Sequence, residues 1–129
     1  MTPLVIICVA VGAALGAPAR FAIERWLAGA WPRGTLVVNV LGSAVLGALM
    51  GAVSAAGMTT SATALVALVG TGFCGALTTF GGFSAQLADL ALAPPSVVLA
   101  RRSLRALTYG LVSVVLCVAV AALGYIAFH

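Results

Sequence analysis

A glycine-rich segment, GFCGALTTFGGFS at residues 72–84, places two threonines, a glycine pair and three phenylalanines inside a long apolar stretch. A helix in lipid keeps its backbone hydrogen bonds internal because no water is there to replace them, and glycine pairs weaken that pattern. Irregular backbone at membrane depth is tolerated where protein buries it or where it lines a wet cavity. The segment therefore predicts a broken helix beside a polar path, and we expect the function there.

Two stripes of polar side chains accompany this segment. Thr35, Asn39 and Ser43 are spaced by four residues, which puts them on one face of a helix. Such residues donate hydrogen bonds to ligands but also bond membrane helices together, so both roles stay open for Asn39. The last apolar segment repeats the spacing with Arg105, Tyr109, Ser113 and Cys117. Two such stripes in one small protein predict a lined path.

Phe80 and Phe83 flank the pair Gly81 and Gly82. An aromatic ring carries positive potential at its edge, so rings presented edge-on beside amide and hydroxyl donors can hold a small anion. A site without lysine or arginine binds an anion weakly enough to release it, as conduction requires. These residue types predict an anion path.

Membrane helices must position these residues. The chain has 129 residues, 64% hydrophobic and 6% charged, and a mean hydropathy of +1.26, whereas soluble domains carry about 25% charged residues. A membrane span needs about 20 apolar residues, and four segments fit, at residues 4–19, 35–54, 63–92 and 104–128. No lysine or arginine precedes the first, so we expect a retained helix rather than a signal peptide. The expected fold is an all-α integral membrane protein with one four-helix domain over residues 1–129, its third helix broken near the middle.

The arginines indicate the orientation. All six lysine or arginine positions are arginines, three in or beside the connection of the first two segments and three at the turn that joins the last two: Arg20, Arg25, Arg33, and Arg101, Arg102, Arg105. The positive-inside rule places both connections in the cytoplasm and both termini outside a cell (inner or plasma) membrane. We interpret the net charge of +4 as a topology signal rather than a nucleic-acid or lipid site.

The remaining reactive residues exclude other classes. The two acids, Glu24 and Asp89, lie away from the helix centres, which argues against a proton-driven exporter. Cys8, Cys74 and Cys117 are scattered without CxxC spacing, so we expect them to pack rather than bind metal. No nucleophile and base or metal-ligand set occurs, so we do not expect an enzyme.

The chain resembles the CrcB/Fluc fluoride channel family over almost its whole length. The matching motifs are GAPAR at residues 16–20, GTLVVNVLGS at 34–43 and GFCGALTTFGGF at 72–83, followed by Tyr109 with Ser113. The resemblance implies passive export of fluoride that has entered as HF and ionised in the cytoplasm, which confers fluoride resistance. It also implies a dimer of oppositely oriented subunits with two narrow pores.

The resemblance implies a role for each site residue. The fluoride pore would be lined by Asn39, Phe80, Phe83, Thr35, Ser43, Tyr109 and Ser113. A structural Na⁺ at the dimer centre would be held by the backbone carbonyls of Gly75 and Thr78. A structural role or a place in the pore vestibule is implied for Arg20, Thr79 and Gln86.

This chain departs from the family at two positions beside the pore. The family usually reads TTFSTF where this chain reads TTFGGF, and it often has a glutamate where this chain has Gln86. A non-conducting partner subunit is therefore an alternative, as is, on weaker grounds, a small multidrug exporter. The exporter would need a carboxylate in the first helix, and residues 4–19 contain none.

The arginine bias also bears on assembly. A sequence that inserts in both orientations would have balanced arginines, whereas six against none predicts one fixed orientation. Some members of the family pair unlike subunits of opposite orientation. We favour the hypothesis that this chain is half of such a heterodimer, with a homodimer as the alternative.

Overall fold

The computed structural model describes residues 2–29, 31–92 and 99–129, without the side chains of 99, 100 and 102. Its helices are α1 (Pro3–Trp26), α2 (Arg33–Ala56), α3 (Thr60–Leu65), a π-helical segment (Val66–Cys74), α4 (Gly75–Leu77), α5 (Phe80–Ala91) and α6 (Leu99–Phe128). Among the described residues, four helices are long and apolar enough to cross a membrane: Pro3–Trp26, Arg33–Ala56, Thr60–Ala91 and Ser103–Phe128. The predicted all-helical class with four spans is confirmed. The connection at residues 93–98 lies outside the description.

Two helices extend past the predicted apolar segments. α1 continues from the predicted end at residue 19 to Trp26, so Arg20, Glu24 and Arg25 belong to its last turns rather than to a loop. α6 begins at Leu99, ahead of the predicted 104. An apolar segment of the sequence marks only the part of a helix that lies in lipid. Arginine and glutamate are good helix formers, so the helix continues through them beyond that part.

The four spans alternate in direction. Gly12 lies against the backbone of Leu68 and Phe73, and Gly16 lies against Phe73 and Ala76. Because both partners advance together along the chain, α1 runs parallel to the third span. In the same way Gly47 and Gly51 of α2 lie against the backbone of α6, so α2 and α6 are also parallel. These close backbone approaches are the packing that small residues permit between membrane helices.

The third span changes its geometry twice. Val66–Cys74 forms a π-helix, which is rare and is often found at functional sites. The helix then ends after Leu77, and Thr78 and Thr79 have extended backbone with ψ of 156° and 118°. The side chain of Thr79 caps α5 by accepting a hydrogen bond from Gly82 N at 3.0 Å. The predicted break is confirmed.

The break, defined here as Thr78 and Thr79, precedes the glycine pair. Gly81 and Gly82 lie in the first turn of α5 instead. The physical reason is that a threonine hydroxyl can replace a lost backbone acceptor at a helix start, which glycine cannot do. Thr78 bonds in the opposite sense at the end of the preceding helix, since its N and Oγ1 both donate to Cys74 O at 2.9 Å.

We expect Gly47→Val to destabilise the bundle by about 1–3 kcal/mol, because overpacking forces helices apart. A Cβ at residue 47 would lie 2.7 Å from the Cα of Ala121. The measurement is the fraction of monodisperse protein left after heating in detergent. Gly29→Ala is the control, since a Cβ there meets nothing within 4 Å. Equal stability of the two variants would contradict the proposed packing.

Candidate functional site

The side chain of Asn39 bonds to the break. Its Oδ1 accepts from Thr79 N at 2.8 Å, and its Nδ2 donates to Thr79 O at 3.3 Å. One amide thus satisfies both backbone groups of a residue that has left the helix, as a neighbouring strand would. Asn39 therefore does bond two spans together, and its second amide N–H is chemically available to another acceptor.

The carbonyls of Gly75 and Thr78 are among those that lose their helical donors at the break. In an unbroken helix Gly75 O would accept from Thr79 N, and Thr78 O would accept from Gly82 N. Those two donors bond instead to Asn39 Oδ1 and to Thr79 Oγ1. The carbonyls of Gly75 and Thr78 are the two that the family resemblance assigns to sodium, and such oxygens suit a hard cation.

A groove of about 390 Å³ runs along the break and is open on one side. Five of the seven predicted pore residues line it: Asn39, Ser43, Phe80, Phe83 and Ser113. Gly75, Thr78 and Thr79 line it as well. The structure thus brings the predicted residues of the second, third and fourth spans to one surface, and the groove contains no charged side chain among its lining residues.

The aromatic rings form a short series beside the groove. Phe80 is 82% exposed, and its ring centroid lies 6.1 Å from that of Phe83. The Phe83 ring lies 5.7 Å from the ring of Tyr109, tilted by 31°. Tilted rings at these separations present edges as well as faces to their surroundings. An exposed phenylalanine beside an uncharged groove is suited to contact with a second molecule.

Ser113 carries the most informative polar atom in the groove. The residue is only 3% exposed, and its Oγ has no hydrogen-bond partner within the described part of the chain. Leaving a buried hydroxyl unsatisfied costs about 1–3 kcal/mol. The register of α2 against α6, set by the contact of Gly47 with Ala121, puts Ser113 at the height of Asn39. A donor is therefore held in the groove beside the amide, where a ligand would satisfy it.

Four predicted residues lie outside the groove. Thr35, 1% exposed, donates from Oγ1 to Glu24 Oε1 at 3.1 Å. Tyr109 donates from its hydroxyl to Gln86 Oε1 at 3.1 Å, so these two join α5 to α6. Arg20 is half-buried on α1 and lines neither the groove nor the neighbouring depression. That depression, of about 250 Å³, lies at the arginine-bearing end and includes Glu24, Thr35 and Gln86 in its lining.

Several contributors were not singled out by sequence reasoning. Cys74 lines the groove, although we expected it only to pack, and so does Cys117, which belongs to the second polar stripe. Gly42 makes room for the break, because a Cβ there would collide with the methyl group of Thr78. Nothing in the spacing indicates the contact of Gly42 or the bond of Glu24.

The glycines of TTFGGF differ in their surroundings. A Cβ at Gly81 would meet nothing within 4 Å, whereas one at Gly82 would lie 2.9 Å from Cγ2 of Thr79. A side chain is therefore accommodated at residue 81 and crowded at residue 82. The loss of a hydroxyl at residue 81 removes a group from open space beside the groove and leaves the helix cap of Thr79 intact.

Comparison with known proteins agrees with this architecture. The family model described as CrcB-like protein, Camphor Resistance (CrcB), matches residues 7–125. A fluoride-specific ion channel FluC 2 of Rhodococcus jostii is 35% identical over 124 residues, which cover 95% of this chain and 96% of that protein. A fluoride-specific ion channel FluC of Hahella chejuensis is 40% identical over 116 residues, covering 87% and 84%.

A third relative matches more strongly over a shorter region. A fluoride-specific ion channel FluC 1 of Nocardia farcinica is 51% identical over 79 residues, or 58% of this chain, and the chain spans about half (51%) of that protein. The family match and the four apolar helices of the described residues together identify a multi-pass membrane protein. The chain belongs to the CrcB family.

Proposed function

We propose that this chain is a subunit of a fluoride-selective passive channel, which lets cytoplasmic fluoride leave the cell and so confers fluoride resistance. The observation that carries the proposal is the buried, unpartnered hydroxyl of Ser113 in an uncharged groove beside Asn39. The names of the relatives support fluoride as the ion.

The groove offers hydrogen-bond donors that replace those of the water molecules a small anion loses when it enters the protein. Donors are the Ser113 hydroxyl, the second N–H of Asn39 and the Ser43 hydroxyl, and the edges of Phe80 and Phe83 add positive potential. Because its lining includes no lysine or arginine, the groove holds the anion without trapping it. Passive conduction needs no energy-coupling carboxylate, and the groove lining has none.

A second subunit of opposite orientation would complete the pore. The groove is open on one side, and Phe80 is 82% exposed beside it. A partner covering this face would bury the ring and enclose the path. The Gly75 and Thr78 carbonyls, which have lost their helical donors, would then hold a structural Na⁺ between the subunits, joining the two breaks.

The partner that we favour is an unlike subunit of opposite arginine bias. Arg33 lies beside Thr108 in a small surface cavity, so the connection after α1 and the start of α6 are at the same end of the molecule. All six arginines thus support one orientation, with this end in the cytoplasm. Relatives named FluC 1 and FluC 2 support the existence of paralogous pairs. A homodimer and a non-conducting partner subunit are the alternatives.

The proposal is tested by fluoride efflux from liposomes, followed with a fluoride electrode. We expect efflux from the purified chain, alone or with an oppositely oriented family member, and a loss of about tenfold or more in Asn39→Asp and Phe80→Ile. The aspartate would place a negative charge in the lining of the groove, where it would repel an anion. Ser54→Ala is the control, because that hydroxyl bonds Tyr125 away from the groove. Silence of the folded chain in both conditions would favour the non-conducting subunit.

The orientation is tested in cells with a reporter fused to the C-terminus. We expect the reporter outside the cytoplasm in essentially every molecule, because all six arginines lie at one end of the spans and none lies at the other. The triple variant Arg101→Ala, Arg102→Ala, Arg105→Ala halves the bias and is expected to yield both orientations. A mixed population of the unaltered chain would refute the obligate heterodimer.

The sodium site is tested by the thermal midpoint of the assembled protein in detergent. We expect a midpoint a few degrees higher in NaCl than in KCl, because an ion that binds only the folded state stabilises it by mass action. Equal midpoints at all concentrations would contradict a specific Na⁺ site. Choline chloride at the same ionic strength separates specific binding from general screening.

A further inference from the structure

The depression at the arginine-bearing end contains one fixed carboxylate. Its lining includes Glu24, Arg33, Thr35 and Gln86. Glu24 Oε1 accepts the hydrogen bond of Thr35 Oγ1 at 3.1 Å. The backbones of α1 and α2 also touch here, since a Cβ at Gly34 would lie 2.6 Å from the Cα of Glu24. Glu24 is therefore held in place by both a side-chain bond and the helix crossing.

A series of side-chain contacts connects the groove to the depression. Phe83 lines the groove and stacks near Tyr109, whose hydroxyl bonds Gln86. Gln86 lines the depression together with Glu24. Thr35 is one helical turn from Asn39 on the same face of α2. An anion that moves between the groove and this end of the molecule along polar groups therefore passes the Glu24 carboxylate.

We propose that Glu24 sets the rate at which anions pass this mouth, with Thr35 as the residue that holds its carboxylate in place. The inference rests on the proposed function and deepens it. A fixed negative charge raises the free energy of an approaching anion, and the Thr35 hydroxyl that donates to Glu24 is not donating to the anion. Arg33, in the same lining, offsets part of this repulsion.

The test compares fluoride efflux of Glu24→Gln with that of the unaltered chain in liposomes. Glutamine keeps the shape and the acceptor for Thr35 but removes the charge. We expect efflux to rise about threefold to tenfold at low ionic strength, because charge in a cleft changes local ion concentration by that order. The gain must shrink in 1 M impermeant salt, where the Debye length falls to about 3 Å. A purely structural effect would not depend on salt in this way.

Asp89→Asn is the matched control. It removes the other acid of the chain, which is exposed on α5 and absent from the lining of the depression. We expect its efflux to equal that of the unaltered chain. Gel filtration in detergent verifies that both variants are folded.

The outcomes separate this inference from the proposed function. Suppose that the unaltered chain conducts fluoride. If efflux is then unchanged or reduced in Glu24→Gln, or rises equally in Asp89→Asn, the role of Glu24 is overturned and the channel function is not. Absence of efflux from the unaltered chain and both variants, with the oppositely oriented partner present, overturns the channel function and this inference with it.

Discussion

The structure depends on the pair of hydrogen bonds between the Asn39 amide and the backbone of Thr79. A backbone group without a partner costs several kcal/mol in hydrocarbon, so a membrane helix cannot simply be interrupted. Asn39 supplies both a donor and an acceptor at the height of the interruption. The capping hydroxyl of Thr79 then begins α5, and the missing Cβ of Gly42 leaves room for Thr78. Removal of either amide group would leave an unsatisfied backbone atom at the same place.

Helix packing through glycine positions the groove around this bond. The contacts of Gly47 and Gly51 with α6 fix the register of two parallel helices, and the polar stripes of both then reach the same heights. Asn39 of α2 and Ser113 of α6 therefore lie at the same height, although their side chains form no hydrogen bond with each other. Glycines remote from the groove thus determine its position, because their lack of a side chain allows the two helices to approach closely.

The sequence predicts those features that follow from local periodicity. Four apolar segments predict four spans, and the spacing of Asn39 and Ser43 predicts their common face, because helix geometry alone decides both. The motif TTFGGF predicts a break, but its position at Thr78 and Thr79 depends on which residue finds a partner on another helix. The bond of Thr35 to Glu24 depends on the crossing of α1 and α2. No spacing within one helix encodes that crossing, so the contact of Thr35 with Glu24 could not be predicted from the sequence.

The released carbonyls of Gly75 and Thr78 also affect the subunit before it has a partner. On the open side of the groove, a solitary chain would present these oxygens to acyl chains, which offer no hydrogen bond. Whatever covers this face recovers that free energy, whether it is a cation, water or protein. The interruption that shapes the path therefore raises the free energy of a solitary chain in a bilayer, and any cover over this face would lower it again.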